Sequence, residues 1–198
     1  MKSKLILYSI VLTVVAAFYS CGQKTESSAP TNETSKAAEP VKATQPQYAT
    51  DAAFQKQLGE VFNAYAALKD GFVSTDVAKV KTDAKTTRDA LGRVDMKLLN
   101  GNAHNDWMTY MTAMQKSLEE IISGTEILEQ RRSFSSLSNE LYKSVKAFGL
   151  GGETAYYDYC PMAFNNEGAF WLSKEDKIRN PYFGDEMLTC GEVKETLQ

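Results

Sequence analysis

Between Asp51 and Phe148, apolar residues return every three or four positions with little interruption, and that rhythm commits the stretch to helices. Phe54, Leu58, Val61, Tyr65 and Leu68 trace one stripe. Asp70-Gly71 is expected to break it, with Ser74 or Thr75 capping the helix that follows. A weaker stripe runs through Val77, Val80, Ala84, Leu91, Val94 and Leu98 and ends near Asn100-Gly101. The third starts at about Asn102, turns Trp107, Met111, Met114, Leu118 and Ile122 inward, and stops at Ser123-Gly124. Thr125 is the expected cap of the fourth, which carries Ile127, Phe134, Leu141, Val145 and Phe148 before Gly149, Gly151 and Gly152 close it. Helices of this length with short connections pack best against their sequence neighbours. The expected fold is therefore all-α, an up-down four-helix bundle.

The flanks read differently. Residues 1–20 have the form of a lipoprotein signal peptide: Lys2 and Lys4, an apolar run from Leu5 to Phe18, then Tyr19-Ser20-Cys21-Gly22. That run is short for a membrane span but has the length of a signal core. A cysteine directly after it resembles a bacterial lipoprotein box, which implies cleavage before Cys21, lipidation of that residue and attachment to a membrane. Residues 21–50 are rich in Ser, Thr, Ala, Glu, Lys and Pro and are expected to be a disordered tether. The expected domain is 51–198. The Gln23-Lys24-Thr25-Glu26 stretch resembles signals that send some lipoproteins to the cell surface, so the expected location is extracytoplasmic, at the outer membrane on its periplasmic side or at the surface. The chain's formal charge of −3 becomes −5 without Lys2 and Lys4, and no basic patch points to nucleic acid.

From about Glu153 to Gln198 the helical period is lost. Tyr156-Tyr157-Asp158-Tyr159 reads as a short extended piece, and Asn165-Asn166, Gly168, Asn180-Pro181 and Gly184 mark successive turns. Phe164, Phe170, Trp171, Tyr182 and Phe183 supply apolar surface, so a loop-rich Cys/Met segment over 153–198 is expected to pack on the bundle.

The chemistry lies in that segment. Cys160 has Met162 two residues on, and Cys190 has Met187 three residues before it. Thiolate and thioether are soft donors that favour copper(I) over magnesium, calcium or manganese. Two thiols in an extracytoplasmic compartment also suit a disulfide, whose loop of about 30 residues would contribute about 3–4 kcal/mol on a chain-entropy model. Both readings stand: a structural Cys160–Cys190 disulfide, or a metal site built from Cys160, Met162, Met187 and Cys190. Zinc is the second metal, because thiolates and an imidazole suit it and thioethers do not. His104, the chain's one histidine, falls within about 60° of Met108 and Met111 on the third helix, which makes it a candidate nitrogen ligand as well as an ordinary helix-end histidine. Arg131 and Ser138 lie on the apolar side of the fourth helix. A guanidinium there requires partners and reads as a clamp for the C-terminal segment. No Gly-rich phosphate loop, serine elbow or Cys-x-x-Cys motif is present, so a binding protein is expected rather than an enzyme.

Several stretches together resemble the domain-of-unknown-function 3347 family: Cys160-Pro-Met-Ala, Gly168-Ala-Phe-Trp-Leu-Ser173, Ile178-Arg-Asn-Pro-Tyr-Phe-Gly184, Met187-Leu-Thr-Cys-Gly191, Arg131-x-x-Phe134-x-x-Leu137-Ser138, and His104 before Trp107. Trp171 and Asn180 within these motifs, with Arg131 and Ser138, are the expected structural support of the site. The resemblance spans about residues 51–197. It implies a Bacteroidota lipoprotein or periplasmic protein, because such domains occur there and are appended to the adaptor subunits of heavy-metal efflux systems. Metal handling, with efflux components as partners, follows from that company. Barrel and hairpin domains of the adaptor type are not seen in this sequence, so a pump subunit is not expected.

Overall fold

The computed structural model describes residues 45–198; the expected signal, Cys21 and most of the expected tether lie outside the described residues. Four long helices form: α1 (Ala52–Val73), α2 (Val77–Gly92), α3 (Gly101–Ser123) and α4 (Ile127–Phe148). Each packs on the next, and α4 returns to α1, which is the closure an up-down bundle requires. Asp51 caps α1 by accepting from the Ala53 amide at 2.7 Å, and Asp76 caps α2 by accepting from Lys79 at 2.9 Å. Aspartate rather than Ser74 or Thr75 therefore starts α2. Glu126 precedes α4 without a side-chain cap, so Thr125 does not play that part.

Helix α1 also runs through Asp70-Gly71 to Val73 instead of stopping there. A Cβ at position 71 would lie 3.3 Å from Val80 Cγ2 and 3.4 Å from the Val80 amide nitrogen. Gly71 thus lets the start of α2 approach closely, and its helix cost of about 1 kcal/mol is offset by that packing. Helix α2 is shorter than its stripe: it ends at Gly92, and a 3-10 turn at Met96–Leu98 carries the chain to α3.

The core is a column of aromatic rings. At one end of the bundle, where α1 begins and α4 finishes, Trp107 meets Phe54 edge-on at 5.1 Å and Phe148 at 6.0 Å. At the other end Phe134 packs on Phe72 at 4.7 Å and stacks on Tyr65 at 5.1 Å. The chain enters at the first end. The Gln47 and Tyr48 amides donate to Lys146 O and Ala147 O, and the Tyr48 hydroxyl donates to Asp106 at 2.5 Å. The packed domain therefore takes in residues of the expected tether.

The all-α expectation needs correction. The C-terminal segment forms a three-stranded antiparallel sheet of β1 (Ala155–Cys160), β2 (Ala169–Ser173) and β3 (Glu192–Leu197), in the order β2-β1-β3. Register places Asp158 opposite Trp171 and Cys160 opposite Ala169, with Tyr156 opposite Thr196 on the other side. These strands escape a periodicity search for a physical reason. Central strand β1 buries Ala155, Tyr157, Asp158 and Cys160, so it shows no clean polar-apolar alternation, and five or six residues are too few to establish one. The turn between β1 and β2 places Phe164, Asn165 and Asn166 in the left-handed region, with φ of 53°, 60° and 70°. Strand β2 lies on α4, and a second 3-10 turn, Gly184–Met187, touches α1.

Candidate metal centre

Cys160 is the last residue of β1 and is fully buried, while Cys190 sits half-buried just before β3. Their Sγ atoms are 3.0 Å apart. That is well beyond the 2.05 Å of a disulfide bond, and both cysteines are free thiols. A hydrogen bond to Cys160, burial and the charge of Cys160 push the Cys190 thiol up to about 11. One proton held between two sulfurs is the cause, and any ion entering between them must displace it.

Asn180 shapes the loop that carries Cys190. Its side-chain amide donates to Cys190 O at 2.7 Å, its Oδ1 accepts from the amides of Tyr182 and Phe183, and its own amide donates to Leu188 O. One buried side chain therefore ties both arms of the loop. Gly191 follows at φ +145°, where a Cβ would stand 2.8 Å from the Trp171 ring and 3.0 Å from Tyr159 O. Only a residue without a side chain lets the loop lie this close to the sheet beside Cys190.

Arg131 fastens the same loop to the bundle. Its Nε donates to Pro181 O at 2.9 Å, and Nη2 donates to Phe72 O at 3.3 Å and Thr75 Oγ1 at 3.1 Å. Burial lowers its pKa, partly countered by Glu186. Ser138 belongs to a second buried link. Its hydroxyl donates to Phe134 O at 2.8 Å, so the 2.6 Å contact with Tyr65 is donated by the tyrosine, whose oxygen accepts from the Leu172 amide at 3.1 Å. Helix α4, helix α1 and strand β2 are thereby joined through one hydroxyl chain.

The four sulfurs separate into two pairs. Cys160 and Cys190 face each other, whereas Met162 and Met187 line an open groove with Phe164, Tyr182, Phe183 and Leu128. His104 joins neither pair. It lies at the start of α3, with Nδ1 3.3 Å from Met96 O, at the bundle end marked by Trp107 and Phe148. The cysteine loop is held at the opposite end through Arg131, Phe72 and Thr75. His104 is thus set apart from the thiols in this structure, because helix-wheel geometry gives a face but not which end of the bundle the C-terminal segment reaches. Met111 and Met114 are buried in the core. Among the described residues, no three His, Cys, Asp or Glu side chains gather into a metal-holding group.

One functional-looking residue escaped the sequence reading. Asp158 is fully buried, and neither carboxylate oxygen has a hydrogen-bond partner. Burial pushes its carboxyl up to about 7, against the pull of Lys69 and of the Trp171 indole across the strand pair. The indole N–H lies close enough to act electrostatically yet misses hydrogen-bond geometry, so it too is without a partner. The available signal was an acid inside a run of tyrosines, which an extended strand turns inward.

Together these features define a helical-bundle domain with a small C-terminal sheet that carries a thiol pair. Residues 61–153 match the model of DUF3347, described as a protein of unknown function, and on that match the chain is assigned to the DUF3347 family. The matched span includes His104, Arg131 and Ser138 and ends before Cys160. No curated protein and no solved structure matches the chain. Among the described residues, no helix is long and apolar enough to cross a membrane.

Proposed function

We propose that this protein is a lipid-anchored extracytoplasmic binder of a soft metal ion, copper(I) first, which it sequesters or hands to efflux components. It is a binding protein rather than an enzyme. The observation that carries this reading is the pair of thiols 3.0 Å apart, one at the end of a buried strand and one on a half-buried loop. Two thiolates converging without a histidine or carboxylate beside them favour an ion content with few soft ligands. Zinc is served less well. It takes four ligands, and its Zn–S bonds of about 2.3 Å hold two sulfurs about 3.8 Å apart at the tetrahedral angle. Either ion needs the sulfurs to open from 3.0 Å, and Cys190, half-buried on a loop, is the less enclosed of the two.

The same proximity favours a second reading from another class: a metal-free interaction module in which Cys160 and Cys190 close to a disulfide and pin an aromatic surface. Metal analysis of protein purified under reducing conditions, and a thiol count on protein isolated without reductant, separate the two. The copper(I) reading expects two reactive thiols and about one tightly bound copper(I) per chain, and Cys160→Ser or Cys190→Ser should abolish that tight binding. Each displaced thiol proton makes the apparent affinity rise about tenfold per pH unit below the thiol pKa. Protein that keeps its thiols and takes up no copper(I) rules the reading out. Absence of free thiols after mild isolation would support the disulfide module instead.

A further inference from the structure

The methionine groove beside the thiols has its own chemistry. Met162 reaches it two residues after Cys160, and Met187 reaches it three residues before Cys190. Both line one concavity of about 340 Å³ with Phe164, Tyr182, Phe183 and Leu128. Met162 is 45% exposed, while every other methionine among the described residues is buried or half-buried. A thioether left in water gains little from packing, so its position calls for another account. The backbone that presents it is costly as well. Phe164 holds positive φ at a cost of about 1 kcal/mol or more, followed by Asn165 and Asn166, which adopt that region more readily. That turn lays Phe164 beside Tyr182, ring centroids 5.3 Å apart, with the Arg132 guanidinium 4.6 Å from the Phe164 centroid.

The lining selects by donor type. It offers two thioethers, aromatic faces, two asparagines and an arginine, with no carboxylate, thiol or imidazole. Hard divalent ions find no carboxylate in that lining, only the amide oxygens of Asn165 and Asn166. A monovalent soft ion meets two sulfurs and π-faces. We propose that the Met162–Met187 groove is a separate thioether site for copper(I), which captures the ion at the surface and passes it to the Cys160–Cys190 thiols. The capture site stands by itself, and the transfer rests on the dithiol reading above. The step is a ligand exchange. Copper stays copper(I), its bonds to two thioether sulfurs break, bonds to two thiolate sulfurs form, and the thiol protons leave to solvent.

The test uses the full chain and silver(I), a redox-inert stand-in for copper(I). In Cys160→Ser/Cys190→Ser, one silver(I) per chain should remain, bound at least 100-fold more weakly than in wild type. The methyl resonances of Met162 and Met187 should shift on addition while those of Met111 and Met114 stay fixed. Adding Met162→Leu/Met187→Leu, which keeps volume, should remove that residual site. In the otherwise wild-type chain, the two leucine changes should leave the affinity within about threefold but slow metal uptake at least tenfold. Because Cys160 is fully buried, the residual site is also measured on wild-type protein oxidised to the Cys160–Cys190 disulfide, which masks both thiols without a substitution. If wild type binds silver(I) and the thiol-masked forms bind none, the groove is no metal site and the dithiol reading survives. Unchanged uptake in the leucine variant overturns the transfer. Wild type that binds only through its methionines overturns the dithiol reading and leaves the groove. No binding by any form overturns both.

Discussion

The bundle and the C-terminal segment solve the same problem, fixing a chain in one conformation, by different means. Within the bundle the fixing agents are apolar and redundant: Phe54, Trp107 and Phe148 are in mutual ring contact at one end, and Phe134 touches both Tyr65 and Phe72 at the other. In the segment a few polar side chains hold several backbone groups each. The Asn180 side chain serves three backbone partners, and Arg131 ties the loop to Phe72 and Thr75 of the bundle. Redundant apolar contacts fail gradually, whereas loss of one multiply bonded amide releases a whole loop. The thiols sit on the second kind of scaffold, Cys160 at the end of β1 and Cys190 on the loop that Asn180 holds.

The largest effect should come from Trp107→Ala. A fully buried indole replaced by a methyl group costs about 3–5 kcal/mol, spread over the whole cooperative unit. Chemical denaturation should show one transition at a lower midpoint. Loss of the C-terminal segment alone, with the bundle intact, would contradict this division of labour.

Asp158 comes next and carries a pH signature. Its folded-state pKa of about 7 lies above the ordinary carboxylate value, so the folded state favours the protonated acid. The protein should be most stable, relative to an uncharged variant, below about pH 4, and should lose that advantage as pH rises through about 7. Asp158→Asn is therefore expected to stabilise the domain by roughly 2–4 kcal/mol at pH 8 and much less at pH 5. Denaturant melts at the two pH values decide it, and an equal change at both would mean that the buried charge is not the cause.

Asn180→Ala should have the smallest effect on the whole and the sharpest local one. Loss of its bonds costs about 2–3 kcal/mol, confined to the loop. Proteolysis should then cut between Lys174 and Cys190 while helical circular dichroism is unchanged. A cooperative loss of helix would show that the two regions are not separable.

The helices were legible in the sequence because a buried stripe must repeat at the period of the helix, and four such stripes leave little choice of fold. What the stripes did not reveal was where each helix stops. Asp70-Gly71 looks like a break in sequence, yet the glycine is there for the approach of Val80. The sheet was hidden because β1 is covered on both sides and has no alternation to find. Cys160, Cys190, Met162 and Met187 could be picked out by donor chemistry, but their division into a thiol pair and a thioether groove depends on turns that no local pattern encodes. An arginine on an apolar stripe announces a need for acceptors; that Pro181, Phe72 and Thr75 supply them is a matter of tertiary structure.

The entry of the chain at Gln47 and Tyr48 has a directional consequence. Those residues are bonded to the last turn of α4, whereas the thiols and the methionine groove lie toward its first turn. A 22-residue helix at 1.5 Å per residue sets about 33 Å between its ends. The first described residues and the methionine groove therefore stand at opposite ends of α4.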